Sequence, residues 1–408
     1  MRSEHLRIVV HDYLGHPHQV ELSRELAHRG HHVLHVYCSS LAMARGRVQA
    51  TPSDPHRLSF LGICGPSADP RRRLPRRIAE WFYAHGTARA IYKFAADVVL
   101  SGNAPPLVQH ILSRKVGAAT FIYWLQDMVT SATGGKVGPT PFLAATNRYT
   151  ARVDETLEKG ALRRSARIVS ISSVFLTRLA AMGIPEGRVH VIENWGPQEL
   201  LTAVPGQWGP VQDIKQRREP VLLYAGTLDG RHGSQLLEGL ARQCHQSQRG
   251  VVVLTSEGAA VADLRARVAD TCPERLRTFD FQPFSSVPDM LASADLLLVS
   301  LSAAAAAMSV PSKVLSYLCV GRPILAAVPE NSPVAELVRR SGAGVVTNPA
   351  CPTEFARVAV DLVADPAALE IMGQAGRHFA ERNFALTAIA DRFELIMKDV
   401  TASGKDMT

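Results

Sequence analysis

Short aliphatic runs alternate with helix-period stretches along the whole chain. LRIVV (6–10) is apolar without period-two alternation, the pattern of a strand buried on both faces. HPHQVELSRELAHRG (16–30) predicts a helix, with Leu22 and Leu26 on one face and Gly30 as its stop. HVLHVY (32–37) is the next strand, and ADVVLSG (96–102), AATFIYWLQD (118–127), ARIVSIS (166–172) and RVHVIEN (188–194) are later ones. A helix over SVFLTRLAAMG (173–183) stands between the last two.

The second half repeats the alternation. Strand VLLYAG (221–226) precedes helix SQLLEGLARQC (234–244), and GVVVLTS (250–256) precedes helix AAVADLRARVAD (259–270). RTFDFQ, ADLLLVSL, RPILAAV and AGVVTN predict four more strands, and an amphipathic helix is expected near 385–400. Between the halves, PGQWGPVQDIKQRREP (205–220) is rich in Pro, Gly and charge and has no apolar period, so it reads as a linker. The expected division is an N-terminal Rossmann-like domain over 1–200, a linker over 201–219, and a second Rossmann-like domain over 220–384. Residues 385–408 form a final helix, which can pack back on the first domain, and a frayed tail. The fold class is α/β, two parallel-sheet domains facing each other across a cleft. Ligands of such sheets sit beyond the carboxyl ends of the strands, which is where site residues are to be sought.

Composition narrows the function classes. With 408 residues, 46% hydrophobic and 20% charged, the chain is a globular protein of more than one domain, not a disordered or fibrous one. Forty-five Lys and Arg against 37 Asp and Glu leave +8, which suits phosphate-rich ligands, nucleic acid or an anionic membrane alike. Six cysteines stand at 38, 64, 244, 272, 319 and 351, with no C-x-x-C and no zinc-ligand spacing, so no metal framework is expected. Scattered cysteines suit a reducing cytosol, and the charged start MRSEHLRIVV does not read as a signal peptide. The longest mostly apolar stretch, Leu296 to Val310, is interrupted by serines and is shorter than the ~20 residues that span a bilayer. A cytoplasmic location follows as the expectation.

The sharpest local signal is VPSKVLSYLCVGRPIL (310–325). Pro311 and Ser312 start a helix, Lys313 stands in its first turn, and Gly321 stops it ahead of a strand. A cation there opposes the helix dipole, and an anion bound at that terminus removes the conflict. From the residues alone, Lys313 is equally an anion ligand or a solvated side chain. No G-x-G-x-x-G follows any strand, which disfavours a dinucleotide-dependent dehydrogenase.

P-S-K, an aliphatic helix and G-R-P-I-L together resemble the donor-site segment of retaining glycosyltransferases of family 4, enzymes of the GT-B fold. The resemblance extends over nearly the whole chain. HRGHHVLHVY (28–37) resembles the family's first helix–strand junction, and IYWLQD (122–127) its strand ending at the cleft. HVIENWG (190–196) is similar to the hinge of the surface-polysaccharide subgroup, which acts in colanic acid and O-antigen type assembly. LLYAGTLDGRHG (222–233) resembles that subgroup's loop. FDFQPFSSVPDMLASADLLLVSL (279–301) resembles the stretch that lines the nucleobase.

This resemblance implies a metal-independent hexosyl-type transferase. It would move a sugar from a nucleotide-sugar substrate, such as a UDP- or GDP-sugar, to a carbohydrate or polyprenyl-linked acceptor, with no cofactor. By the same resemblance, Gly226, Arg231, Lys313 and Gly15 hold the donor diphosphate, and Ser316, Gln282 and Phe284 meet the ribose and base. Asp127 contacts the reacting sugar or acceptor hydroxyl, or else caps a turn; His16 contacts acceptor or phosphate, or is a surface histidine. The family's pair of glutamates falls here on Met308 and Ser316, neither acidic, and Thr227 follows the strand glycine where many relatives have Arg. The missing pair keeps open a catalytically degenerate binding partner of another transferase. A sugar-nucleotide epimerase of the same fold is the other alternative.

Arg71, Arg72, Arg73, Arg76 and Arg77 precede Trp81, Phe82 and Tyr83 in one segment. Basic residues beside an aromatic helix suit an anionic membrane surface; a solvated loop with aromatics facing the core is the alternative. No nucleic-acid motif accompanies them.

Overall fold

The computed structural model describes residues 5–40, 48–64, 73–128, 141–203, 208–228, 230–301 and 312–403, with the backbone alone for 73–75, 141–149, 230–232 and 403. Met308, Arg71 and Arg72 lie outside the described residues, as do the side chains of Arg73 and Arg231. The chain divides into two compact units, Met1–Glu193 with Leu386–Thr408, and Asn194–Ala385.

The first unit is built on seven parallel strands: β1 Arg7–Asp12, β2 His32–Cys38, β3 Leu58–Ile63, β4 Val98–Gly102, β5 Thr120–Leu125, β6 Arg167–Ser170 and β7 Val189–Val191. Their spatial order is β3-β2-β1-β4-β5-β6-β7. Ile8, Val9 and Val10 are wholly buried, Val9 pairing with Leu34 on one side and Val99 on the other. Burial on both faces is what removed the alternation from the sequence. Helices α1 Pro17–His28, α2 Arg73–Phe94, α3 Pro106–Lys115, α4 Pro141–Arg164 and α5 Leu176–Ala181 lie between strands. The helix expected over 173–183 is split: a 3-10 turn at Ser173–Phe175 precedes α5, with the Ser172 side chain accepting from the Val174 amide. The sequence pattern did not announce β3. It is an edge strand whose residues are mostly solvent-facing, so it lacks the apolar run of its neighbours.

The C-terminal helix Leu386–Ser403 belongs to this unit. Phe393 packs edge-on to Trp124 at 4.8 Å between ring centres. Arg29 Nη1 reaches Asp391 at 2.6 Å, and His31 Nε2 donates to Glu394 at 2.5 Å while its Nδ1 accepts from the Leu6 amide.

The second unit carries six parallel strands: β8 Val221–Ala225, β9 Val251–Thr255, β10 Leu276–Phe279, β11 Leu296–Ser300, β12 Ile324–Ala327 and β13 Gly344–Thr347. They run in the order β10-β9-β8-β11-β12-β13. Its helices are α6 Gln212–Gln216, α7 Gly230–Ser247, α8 Ala259–Ala269, α9 Val287–Ala292, α10 Ser312–Cys319, α11 Pro333–Ser341, α12 Pro352–Val363 and α13 Pro366–Asn383. The stretch expected to be a linker, 201–219, is folded into this unit where it is described. Trp208, Val211 and Ile214 are buried, and Trp208 packs edge-on to Phe279. Its three apolar anchors are set among Pro, Gly and charged residues, which hid them in the sequence. Among the described residues, no helix is long and apolar enough to cross a membrane.

Candidate functional site

Each sheet has one place where the strand order reverses, between β1 and β4 in the first unit and between β8 and β11 in the second. Loops leaving the carboxyl ends of such neighbours diverge to opposite faces and open a crevice for ligands. Most of the residues selected from the sequence stand at these two crossovers.

In the second unit, β8 ends at Ala225 and the chain turns at Gly226, whose φ of +112° side chains rarely tolerate. The Lys313 ammonium lies 3.5 Å from where a Gly226 Cβ would be, so the two residues are brought together from β8 and α10. The same ammonium stands over the ring of Tyr224, 4.3 Å from its centre. Tyr224 is buried and donates its hydroxyl to the Thr227 carbonyl at 3.0 Å, closing the turn around Gly226. Tyr317, also buried, presents its hydroxyl to the Ala225 amide at 3.4 Å. Lys313 occupies the first turn of α10, whose Val314, Leu315 and Leu318 are buried against the unit, so the helix holds its amino end at the crossover. Arg231 is in the first turn of α7, the helix that follows β8. A cation, a helix amino end and bare glycine backbone are thus brought together, the elements from which anion sites are built.

Ser316 lies one turn along α10, and its hydroxyl donates to the Ser312 carbonyl at 3.3 Å, leaving lone pairs to accept from a ligand. Gln282 and Phe284 are half-exposed on the loop after β10, where Gln282 Nε2 donates to the Asp280 carbonyl at 2.9 Å. That strand is two places from β8, ~10 Å at ordinary strand spacing. Sequence reasoning passed over two neighbours of this loop. Phe281 exposes 48% of its surface, and its amide donates to Glu257 Oε1 at 3.1 Å. It passed over Tyr224 as well, because a tyrosine inside an aliphatic strand reads as core.

In the first unit a cavity of about 230 Å³ opens beyond β1, β4 and β5, lined by Tyr13, Arg76, Asn103, Gln109, Trp124 and Asp127 among others. Asp127 stands two residues beyond β5. It is open to water by area, yet enough protein surrounds its carboxyl for desolvation to raise it above the ordinary carboxylate range. Asn103 has a left-handed backbone, φ +51°, and its Nδ2 is buried without a protein acceptor. An orphan donor at a cavity wall is a place for a ligand oxygen.

Gly15, φ +78°, is buried in the turn before α1. Asp12, at the end of β1, organises that turn: one carboxylate oxygen accepts from the Leu14 amide at 3.1 Å and the other from the His16 amide. Burial outweighs these backbone donors and pushes its carboxyl up to about 7. His16 is half-buried at the mouth of α1 and stacks on the buried His18 at 5.6 Å; burial lowers both imidazoles. Asp12 has no sequence signature, because one acidic residue at a strand end looks like any turn former.

Behind the cavity runs a closed hydrogen-bond chain. Gln109 Oε1 accepts from Ser101 Oγ at 2.8 Å, so Ser101 accepts from His11 Nδ1 at 2.7 Å, and His11 Nε2 then accepts from the Tyr83 hydroxyl at 3.0 Å. The donor order fixes a neutral His11 with its proton on Nδ1. Burial lowers His11 and His35 to about 3 each. Both bind protons on unfolding between pH 6.5 and about 3, so they withdraw stability as pH falls through that window. Asp12, raised, acts in the opposite sense between 3.8 and about 7. His16 and His18, lowered as well, act in the same sense as His11 and His35, so the imidazoles outweigh Asp12 and stability falls on acidification. Urea unfolding at pH 6.5 and 4.5 should show a lower midpoint at 4.5; an equal or higher one contradicts this balance.

The arginine-rich segment is only partly a free surface. Arg76 pairs with Glu80 at 2.9 Å, and Arg77 pairs with Asp154. Of the aromatic residues on α2, Tyr83 is core, whereas Trp81 and Phe82 are 47% and 53% exposed beside Ile78 at 48%.

Two α/β units of this topology define the GT-B fold. Residues 17–195 match the sequence model of glycosyltransferase family 4. A curated relative, the probable glycosyltransferase WbjE of Pseudomonas aeruginosa, is 22% identical over 215 residues. That is 52% of this chain and 53% of the relative, so the chain spans about half the length of the curated relative it matches. Among solved structures, the sucrose-phosphate synthase of Thermosynechococcus elongatus superposes with a TM-score of 0.73 at 16% identity, over 98% of this chain and 100% of that one. Anabaena HepE in complex with UDP-glucose gives 0.69 at 16% identity, over 98% and 100%. At these identities the superpositions establish the fold, and with the family match they support a glycosyltransferase.

Proposed function

We propose that the protein is a retaining, metal-independent glycosyltransferase that moves a hexosyl group from a nucleotide-sugar donor to a carbohydrate or polyprenyl-linked acceptor in envelope or exopolysaccharide synthesis. The observation that carries this reading is the Lys313 ammonium beside the left-handed Gly226 backbone at the crossover of β8 and β11. A diphosphate placed there meets Lys313, the amino end of α10 and the first turn of α7 with Arg231. Charge that builds on the departing nucleoside diphosphate is met by groups already in place, which is the main demand of the reaction. The ~10 Å from this point to the loop carrying Gln282 and Phe284 suits a nucleoside, with Ser316 on the ribose side. The UDP-glucose bound by Anabaena HepE supports a uridine donor.

In the first unit, the cavity with Asn103 and Asp127 takes the acceptor, Asp127 receiving its hydroxyl proton or orienting it, and the turn with Gly15 and His16 offers a contact for a sugar or phosphate. Desolvation raises the Asp127 carboxyl, which suits a group that accepts a proton. Ile78, Trp81 and Phe82, exposed on a helix that follows Arg71, Arg72 and Arg73, support peripheral attachment to the cytoplasmic face of an anionic membrane.

The test is a thermal-shift screen with UDP, GDP, ADP and their sugars. At 100 times its Kd a nucleotide stabilises the protein by about 2.7 kcal/mol. No shift with any of them at millimolar concentration defeats the proposal. Release of nucleoside diphosphate only when an acceptor is present separates a transferase from an epimerase.

A further inference from the structure

We propose that Tyr224 is a positioning residue for the diphosphate-binding lysine, its buried ring holding the Lys313 ammonium beside Gly226 before any nucleotide arrives. The inference rests on the reading of Gly226 and Lys313 as a diphosphate site. Tyr224 is the next-to-last residue of β8, a central strand whose Leu222 and Leu223 are aliphatic and wholly or almost wholly buried. Packing alone at such a position is met by valine or leucine. The tyrosine makes two contacts that an aliphatic residue cannot. Its hydroxyl reaches the Thr227 carbonyl at 3.0 Å and closes the loop that contains Gly226. Its ring face lies 4.3 Å from Lys313 Nζ.

A lysine has four rotatable carbons and loses much rotamer freedom when its ammonium is fixed on a ligand. The electron-rich face of an aromatic ring attracts the ammonium and restricts that freedom in advance. An ammonium has three donors, so contact with a ring face does not use up its capacity to bond phosphate oxygens. Gly226 completes the arrangement: its φ of +112° disfavours any side chain, and the position of its Cβ lies only 3.5 Å from the ammonium, so the backbone stays bare there. Strand, loop and helix thus each contribute one part of a preset cation, and Tyr224 joins the three.

Calorimetric titration with UDP and GDP tests this on the full chain. Tyr224→Phe keeps the ring and should bind within twofold of the wild type. Replacing position 224 with mono-, di- and trifluorinated phenylalanines keeps the shape but drains the ring face, and affinity should fall stepwise. Tyr224→Leu should be about three- to tenfold weaker. In a Lys313→Ala background the same replacements should change nothing further, because Tyr224 acts through the lysine. A flat fluorination series, or an equal loss without Lys313, overturns the inference while leaving the diphosphate site standing. Should Lys313→Ala bind as tightly as the wild type, or should the wild type bind neither nucleotide, the diphosphate reading itself fails and this inference with it. The fluorinated series is nearly isosteric, so its outcome stands even if the leucine variant folds poorly.

Discussion

Lys313→Ala should lower turnover with the nucleotide-sugar donor at least tenfold while leaving the folded protein intact. The side chain is half-exposed at the first turn of α10, and the apolar residues that hold that helix are Val314, Leu315, Tyr317 and Leu318, none of which the substitution touches. On the proposed reading the ammonium meets the leaving diphosphate, and loss of one such group from a preorganised site costs ~10²–10³ in rate. Alanine also relieves the conflict between a cation and the helix dipole, so stability should hold or rise slightly. Steady-state kinetics beside a melting curve decide the matter: wild-type turnover in a folded variant would sink the diphosphate assignment. Arg231→Ala, in the first turn of α7, should show a loss of at least tenfold by the same reasoning.

Gly196→Ala should damage the stability of the second unit and its candidate site together. A Cβ at Gly196 would stand 2.4 Å from Cys319 Sγ and 2.6 Å from the Leu315 carbonyl oxygen. Both belong to α10, whose backbone therefore packs directly on the N-W-G segment. The carbonyl cannot rotate away without breaking the helix, so the helix must shift. Overpacking of this kind costs roughly 1–3 kcal/mol. Because α10 carries Lys313, nucleotide affinity should fall together with the denaturation midpoint. Cys319→Ala in the same chain should restore only part of both, since it removes the sulfur and leaves the carbonyl. Wild-type affinity in Gly196→Ala would show that α10 tolerates displacement and that its position does not set the site.

The strands were legible wherever they are buried on both faces. The run of Ile8, Val9 and Val10 and that of Val251, Val252 and Val253 need no partner to be recognised, because only a doubly covered sheet tolerates unbroken aliphatic sequence. The edge strand β3 was not legible, since one edge of it faces solvent and its composition follows. Nor was the folded state of 201–219, where Trp208, Val211 and Ile214 are anchors set in polar sequence. The site divides in the same way. Gly226 and Lys313 could be named from motif and helix start, and the structure brings them within contact of one another. Asp12, His11 and Asn103 could not, because each draws its meaning from partners far along the chain: His11 from Tyr83 and Ser101, for instance.

The sequence by itself determined the α/β class, the alternation of strand and helix in two halves, and the likeness to family 4 glycosyltransferases. These follow from local periodicity, glycine and proline punctuation, and short motifs, all of which act within a few residues. Tertiary structure alone decided what surrounds those motifs. It placed Arg76 and Arg77 of the basic segment in ion pairs, with Arg76 at the cavity, and left Trp81 and Phe82 on the surface. It also put an aromatic ring beneath the lysine and a carbonyl against Gly196. Those are contacts between segments tens of residues apart, set by packing and burial rather than by any pattern that a neighbouring residue carries.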